Sequence, residues 1–202
     1  MPVSAKNAVG TGALSATPSV TLIVITTYAS DSFTRADSST IGNTPTGGYA
    51  WTSLAVKTYT APTWSILGNA LKAAFTSGTT EGLMYVDDTH ADGPIEVKLA
   101  SAGDTGLAFR IADGNNFWML WTGSPALGNP YKPMKFVAGA YVTVTTTSKN
   151  AALNDVLEVT LVRSTVTAFV NGVQVATTTD AFNSTATKHG VRAVLASGAS
   201  LK

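Results

Sequence analysis

Residues 157–179, LEVTLVRSTVTAFVNGVQVATTT, decide how the chain is read. Leu157, Val159 and Leu161 alternate with Glu158 and Thr160, and Val166, Ala168 and Val170 alternate with Thr165, Thr167 and Phe169. A period of two places each set on one face of an extended strand. Asn171-Gly172 then interrupts the pattern, and both residues tolerate the positive φ that a two-residue type I′ turn demands. Val173 and Val175 begin a return strand. The stretch predicts a β-hairpin.

The same signals recur outward from it. In GLAFRIADGNNFWMLW (106–121), Leu107, Phe109 and Ile111 are expected on one face, with a turn at Asp113-Gly114-Asn115. Phe117, Met119 and Trp121 then share a face, while Trp118 and Leu120 point the other way. Both faces of that strand are apolar, which suits a central strand covered on two sides. In TWSILGNALKAAF (63–75), Leu71, Ala73 and Phe75 recur at spacing two after Gly68-Asn69. VTLIVITTYA, GPIEVKLAS, AYVTVTTT and HGVRAVLAS supply further strands, and no segment carries a capped 3.6 period. Many short strands with turns between them predict an all-β jelly-roll sandwich over residues 19–202. Residues 1–18, rich in Ala, Ser, Gly and Thr and ending at Pro18, read as an N-terminal extended arm. Its sparse apolar positions, Val3, Val9 and Leu14, together with Val20 and Leu22, are the candidate partner-binding residues.

Composition narrows the function. Charged residues make up 12% of the 202 residues, about half the usual share. With a net charge of +1 and scattered Lys and Arg, the chain lacks an electrostatic footprint for nucleic acid or for a membrane surface. The absence of cysteine excludes disulfides and thiol chemistry. TLIVITTYA is too short to span a bilayer as a helix, and the first twenty residues lack the charged and apolar regions of a secretory signal. Synthesis in a cytoplasm without signal-directed export is the expectation.

The order of DSFTRADSSTIG (31–42), Trp51, APTWSILGNAL, GLAFRIADGNNFWMLW, DVLEVTLVRSTVTAFVNGVQV and HGVRAVLASGAS resembles the concanavalin A-like, laminin-G-like jelly rolls, above all those of tailed-bacteriophage virion proteins. The resemblance covers residues 31–202. It implies that the opening motif is a structural clasp where first and last strands meet. Phe33 would enter the core, Arg35 would bond backbone or Asp37, and Asp37-Ser38-Ser39 would fold back on the following amides. Relatives continue into a closing strand beyond the ASGAS region. Here SVTLIVITTYA, or a strand of another subunit, is expected to fill that place.

Chemistry is sparse. None of the twelve acidic residues has another acid two positions away, which argues against the paired carboxylates of a retaining glycosidase, although hairpin pairing could bring Glu96, Asp113 or Glu158 near another acid. Asp87, Asp88, His90 and Asp92 form the densest set of possible metal ligands, read as a solvated turn without a metal. His90 and His189 are expected at the surface. Of Trp51, Trp64, Trp118 and Trp121, Trp118 is the candidate platform for stacking on a sugar. The sequence therefore supports a non-enzymatic protein with no catalytic residues and no cofactor. The leading expectation is a virion protein that decorates and stabilises a capsid, held by its arm on the major capsid protein or other virion subunits and associating as a homo-oligomer. The alternative is a carbohydrate-binding module or tail adhesin that recognises host-surface glycan.

Overall fold

The computed structural model describes residues 27–76, 81–100, 105–123, 128, 130–194 and 200–201. Among these every regular element is a strand: β1 (Thr52–Ala55), β2 (Thr63–Ile66), β3 (Leu71–Ala74), β4 (Glu81–Asp87), β5 (Gly93–Lys98), β6 (Thr105–Asp113), β7 (Asn116–Trp121), β8 (Lys132–Val137), β9 (Ala140–Thr143), β10 (Val156–Val162), β11 (Thr165–Val170), β12 (Val173–Thr179), β13 (Lys188–Val194) and β14 (Ser200–Leu201). They form a seven-stranded sheet in the order β1-β4-β13-β6-β7-β8-β9, a four-stranded sheet β12-β11-β10-β5 and a three-stranded sheet β14-β3-β2. The fold is the jelly-roll β-sandwich that the periodicity predicts. The arm, with Val3, Val9 and Leu14, lies outside the described residues, as do Val20 and Leu22.

The hairpin of 157–179 forms with Leu157 opposite Val170 and with φ of +52° at Asn171 and +74° at Gly172. Its alternation sends Leu157, Val159, Leu161, Val166, Ala168 and Val170 inward. There they meet Leu107, Phe109, Trp118 and Leu120 from the large sheet and Trp64, Ile66 and Leu71 from the small one. This is the core between the sheets.

A second core lies on the other face of the seven-stranded sheet, where Leu83, Phe117, Met119 and Phe136 are essentially fully buried. The sheet makes this possible by curling. Tyr141 on the edge strand β9 donates its hydroxyl proton to Glu81 on β4, five strands along the same sheet. In a flat sheet, with neighbours about 4.8 Å apart, those strands would lie on the order of 24 Å from each other. The face enclosing the second core is therefore concave.

One predicted face is wrong. Leu107 and Phe109 point into the intersheet core, but Ile111 joins the concave one. Pairing with β7 slips between Phe109 and Asp113, where Arg110 has φ +48°. A bulge of this kind inserts a residue and reverses the parity of the residues beyond it. The turn itself tightens to Gly114-Asn115, since Asp113 already pairs with Asn116.

Candidate functional site

The opening motif is tied together around Asp31, a different acid from the Asp37 expected. Phe33 is buried in the intersheet core at φ +54°. Arg35 forks onto Asp31, with Nη1 to Oδ1 2.6 Å and Nη2 to Oδ2 3.1 Å, and also donates to the Ile41 carbonyl at 2.9 Å. Asp31 further accepts the Phe33 amide at 2.8 Å and the Trp51 indole N–H at 3.0 Å. Asp37, the expected partner, instead accepts the Gly68 amide at 2.8 Å. The fold-back on a later amide comes from Ser38, whose hydroxyl accepts from Thr40 N. Ser38 also bridges to Ile66 of β2, tying the clasp to the three-stranded sheet that carries β14.

The side chains of the acidic loop bond within the protein. Asp87 accepts from Thr187, Asp88 from the His90 amide, and Asp92 from Arg110 and the Arg163 amide. Among the described residues no three His, Asp or Glu side chains converge to hold a metal. His90 stacks on Tyr28 with centroids 3.5 Å apart. His189 is not the surface residue expected: it is 6% exposed. Its Nδ1 accepts the Arg110 amide and its Nε2 faces the His90 carbonyl, which fixes the neutral Nε2–H tautomer. Burial holds its pKa below the ordinary value. A cavity of about 160 Å³ lies here, lined by Asp31, Trp51, Asp88 and His189 among others. The hydrogen bonds of those four side chains already go to the protein.

The tryptophans divide differently from expectation. Trp118 is 0% exposed and donates its indole N–H to the Phe182 carbonyl at 2.8 Å, so it offers no platform. Trp64 is buried, and half-buried Trp51 is held by Asp31. Trp121 sits on the concave face. The register there runs Arg192–Gly106–Trp121–Lys132 across β13, β6, β7 and β8. Gly106 presents no side chain between Arg192 and Trp121, and a Cβ there would come within 2.3 Å of the Leu120 carbonyl oxygen. Trp121, Met134, Tyr141 and Arg192 line a cavity of about 270 Å³ beside this notch.

Its polar floor is built with care. Arg192 and Glu81 are each 4% exposed, and Arg192 Nε donates to Glu81 Oε1 at 2.5 Å. Arg192 Nη2 donates to the Tyr141 hydroxyl at 3.0 Å, and that hydroxyl donates onward to Glu81. The guanidinium carbon lies 6.0 Å from the Trp121 ring centre and 5.6 Å from that of Tyr141. Burial works against the Arg192 charge, but Glu81 and the Tyr141 oxygen outweigh it and raise its pKa. Burial, opposed by Arg192 and reinforced by Glu81, pushes the Tyr141 phenol up to about 12. Lys132 Nζ stands 5.2 Å from the Trp121 ring, and Lys57 Nζ 5.6 Å from that of Tyr141. Two aromatic rings and a thioether make an apolar wall beside a fixed guanidinium, the general form of a small-ligand pocket.

Arg192, Glu81, Tyr141 and Met134 are not candidates in the sequence. Their signal is tertiary: Glu81 and Arg192 are 111 positions apart. Of the acids that strand pairing could have brought near another, Glu96 and Glu158 are register partners, on the four-stranded sheet, where Glu96 is exposed.

No protein-family model matches the sequence, and no curated protein is significantly similar to it. Solved structures do resemble the fold. The carbohydrate binding module CBM66 from Bacillus subtilis superposes with a TM-score of 0.57 at 14% identity, over 75% of this chain and 89% of that one. A LamA variant from Z. galactanivorans in complex with laminaritriose and laminaritetraose gives a TM-score of 0.48 at 11% identity, over 85% of this chain and 86% of that one. The first likeness identifies the fold as a concanavalin A-like jelly roll.

Proposed function

We propose that the protein is a non-catalytic carbohydrate-binding module whose site is the concave cavity of the seven-stranded sheet. The observation that carries this reading is the half-buried Trp121 facing that cavity with Tyr141, beside the Arg192 guanidinium. A pyranose ring offers an apolar C–H face to an aromatic wall and hydroxyls to fixed donors. At about 270 Å³ the space falls just below the usual range of drug-sized ligand pockets, which suits one sugar unit. The carbohydrate-binding module among the structural neighbours supports the same reading.

Binding without hydrolysis accords with the carboxylates. Retaining hydrolysis needs two about 5 Å apart. Glu81, the acid bound by the cavity's own residues, is engaged by Arg192 and Tyr141 together. The virion-shell reading rests on the order of sequence motifs, the low share of charged residues, a sheet expected to lack its closing strand, and an arm outside the described residues. CBM66, whose likeness identifies the fold, is a carbohydrate binding module and not a virion protein.

A glycan array and then calorimetric titration test the proposal. Trp121→Ala is expected to weaken binding by about tenfold or more, the effect of removing a central aromatic anchor. Trp118→Phe, altering a core residue, should leave affinity unchanged in the folded protein. An array without signal, or binding indifferent to Trp121, overturns the assignment.

A further inference from the structure

We infer that the glycan taken by this cavity carries an acidic substituent, a carboxylate or a sulfate ester, and that Arg192 Nη1 is the donor that receives it. The inference rests on the carbohydrate-binding reading and names the ligand class for the same site. Arg192 is 4% exposed and lines the cavity; Nε is used by Glu81 and Nη2 by Tyr141. Nη1 is buried and has no acceptor among the described residues. Buried donors in folded proteins are nearly always paired. Trp64 Nε1 and Arg110 Nε and Nη1 are unpaired as well, but Arg192 is the one of these side chains that lines the concave cavity, and an acceptor entering there reaches Nη1 when the guanidinium shifts toward it. An anionic oxygen is the strongest acceptor for it, because charge-assisted bonds are shorter and stronger than neutral ones.

Charge on the concave face points the same way. Lys132 over Trp121 and Lys57 over Phe136 and Tyr141 join Arg192 against the Glu81 carboxylate, while Lys188 over Tyr85 stands opposite Asp87 farther along the same two strands. The whole chain carries a net charge of only +1. On the four-stranded sheet, by contrast, Glu96 and Glu158 stand opposite each other. Two lysines thus stand beside the two aromatic rings of the cavity, where they favour the approach of an anionic chain.

The full chain is titrated with alginate and polygalacturonate, which carry carboxylates, with dextran sulfate, which carries sulfate alone, and with neutral dextran and laminarin. At least one acidic polymer is expected to bind more tightly than both neutral ones, with affinity falling as salt rises. The carboxylate and sulfate arms say which group is read. Arg192→Lys keeps a charge but loses the fork, and should weaken the acidic ligand by about 10- to 100-fold, the loss of one charge-assisted bond. Should Arg192→Lys fail to fold, Lys132→Ala at the rim should still weaken it by about two- to fivefold and flatten the salt dependence. Trp121-dependent binding of neutral polymers with no acidic preference overturns this inference and leaves the carbohydrate-binding reading standing. Retention of none of the polymers overturns both.

Discussion

Asp31 shows how much one side chain can organise. Its carboxylate is fully buried and takes the Arg35 fork, the Trp51 indole and the Phe33 amide. Through these bonds it holds Phe33 at a positive φ that a bulky residue adopts only when its surroundings impose it. The Phe33 and Trp51 rings then pack 5.5 Å apart over the end of the core. Breaking a buried ion pair costs about 3–5 kcal/mol, but the Arg35 side chain is 31% exposed and regains water. Asp31→Ala should therefore destabilise by about 2–3 kcal/mol. Asp37→Ala, which removes an exposed bond to the Gly68 amide, should cost about 0.5 kcal/mol. Urea unfolding of the two variants checks the ranking. Equal midpoints would mean that Asp31 is not the centre of the clasp.

At the scale of elements, local features are legible in the sequence and distant ones are hidden. The β10–β11–β12 meander can be read because alternation and Asn-Gly act within a few residues. The side chain of Asn171 adds to this: it accepts from Val156 N at 2.8 Å and donates to Asp155 at 2.7 Å, closing the end of the sheet. Asn171→Gly keeps the turn conformation and loses those bonds, for about 1 kcal/mol. Asn171→Ala also meets the left-handed φ of +52° and should cost about 2–3 kcal/mol. Chemical denaturation that ranks alanine with glycine would refute a conformational role for the turn. The β6 slip is hidden because arginine carries no preference for the positive φ that creates it. β4 escapes detection because its buried run Gly82–Met84 shows no alternation. Parity along β7 is correct, yet parity alone does not say which face meets the second sheet. The sequence therefore favours Trp118 over Trp121 for the site, and Glu81 and Arg192, buried ions far apart in the chain, leave no local trace.

For the molecule as a whole, three titrating groups act in one direction. His189 on β13 joins the Arg110 amide of β6 to the carbonyl of His90 beyond β4, so it knits three segments at one end of the sandwich. Protonating Nδ1 would break the Arg110 bond and place a charge in a buried site. Burial lowers its pKa, with Arg110 adding to the effect and Asp87, Asp88 and the His90 carbonyl opposing it. The unfolded chain therefore takes up this proton first as pH falls, and stability declines below the ordinary histidine value of about 6.5. Asp155 and Asp180 act in a lower window. Burial would raise Asp155, but bonds from Tyr131, Asn171 and the Ala152 amide outweigh it, while Lys135 is the main cause that lowers Asp180. Both contribute stability above the unfolded aspartate pKa of about 3.9 that is lost as pH falls through their depressed folded values. Thermal midpoints should be level between about pH 7 and 9, decline below about 6.5 and drop again below about 4. His189→Gln retains a donor and an acceptor but does not titrate in this range. It should remove the first decline while leaving the second, and a profile that keeps the first would assign that step to another group.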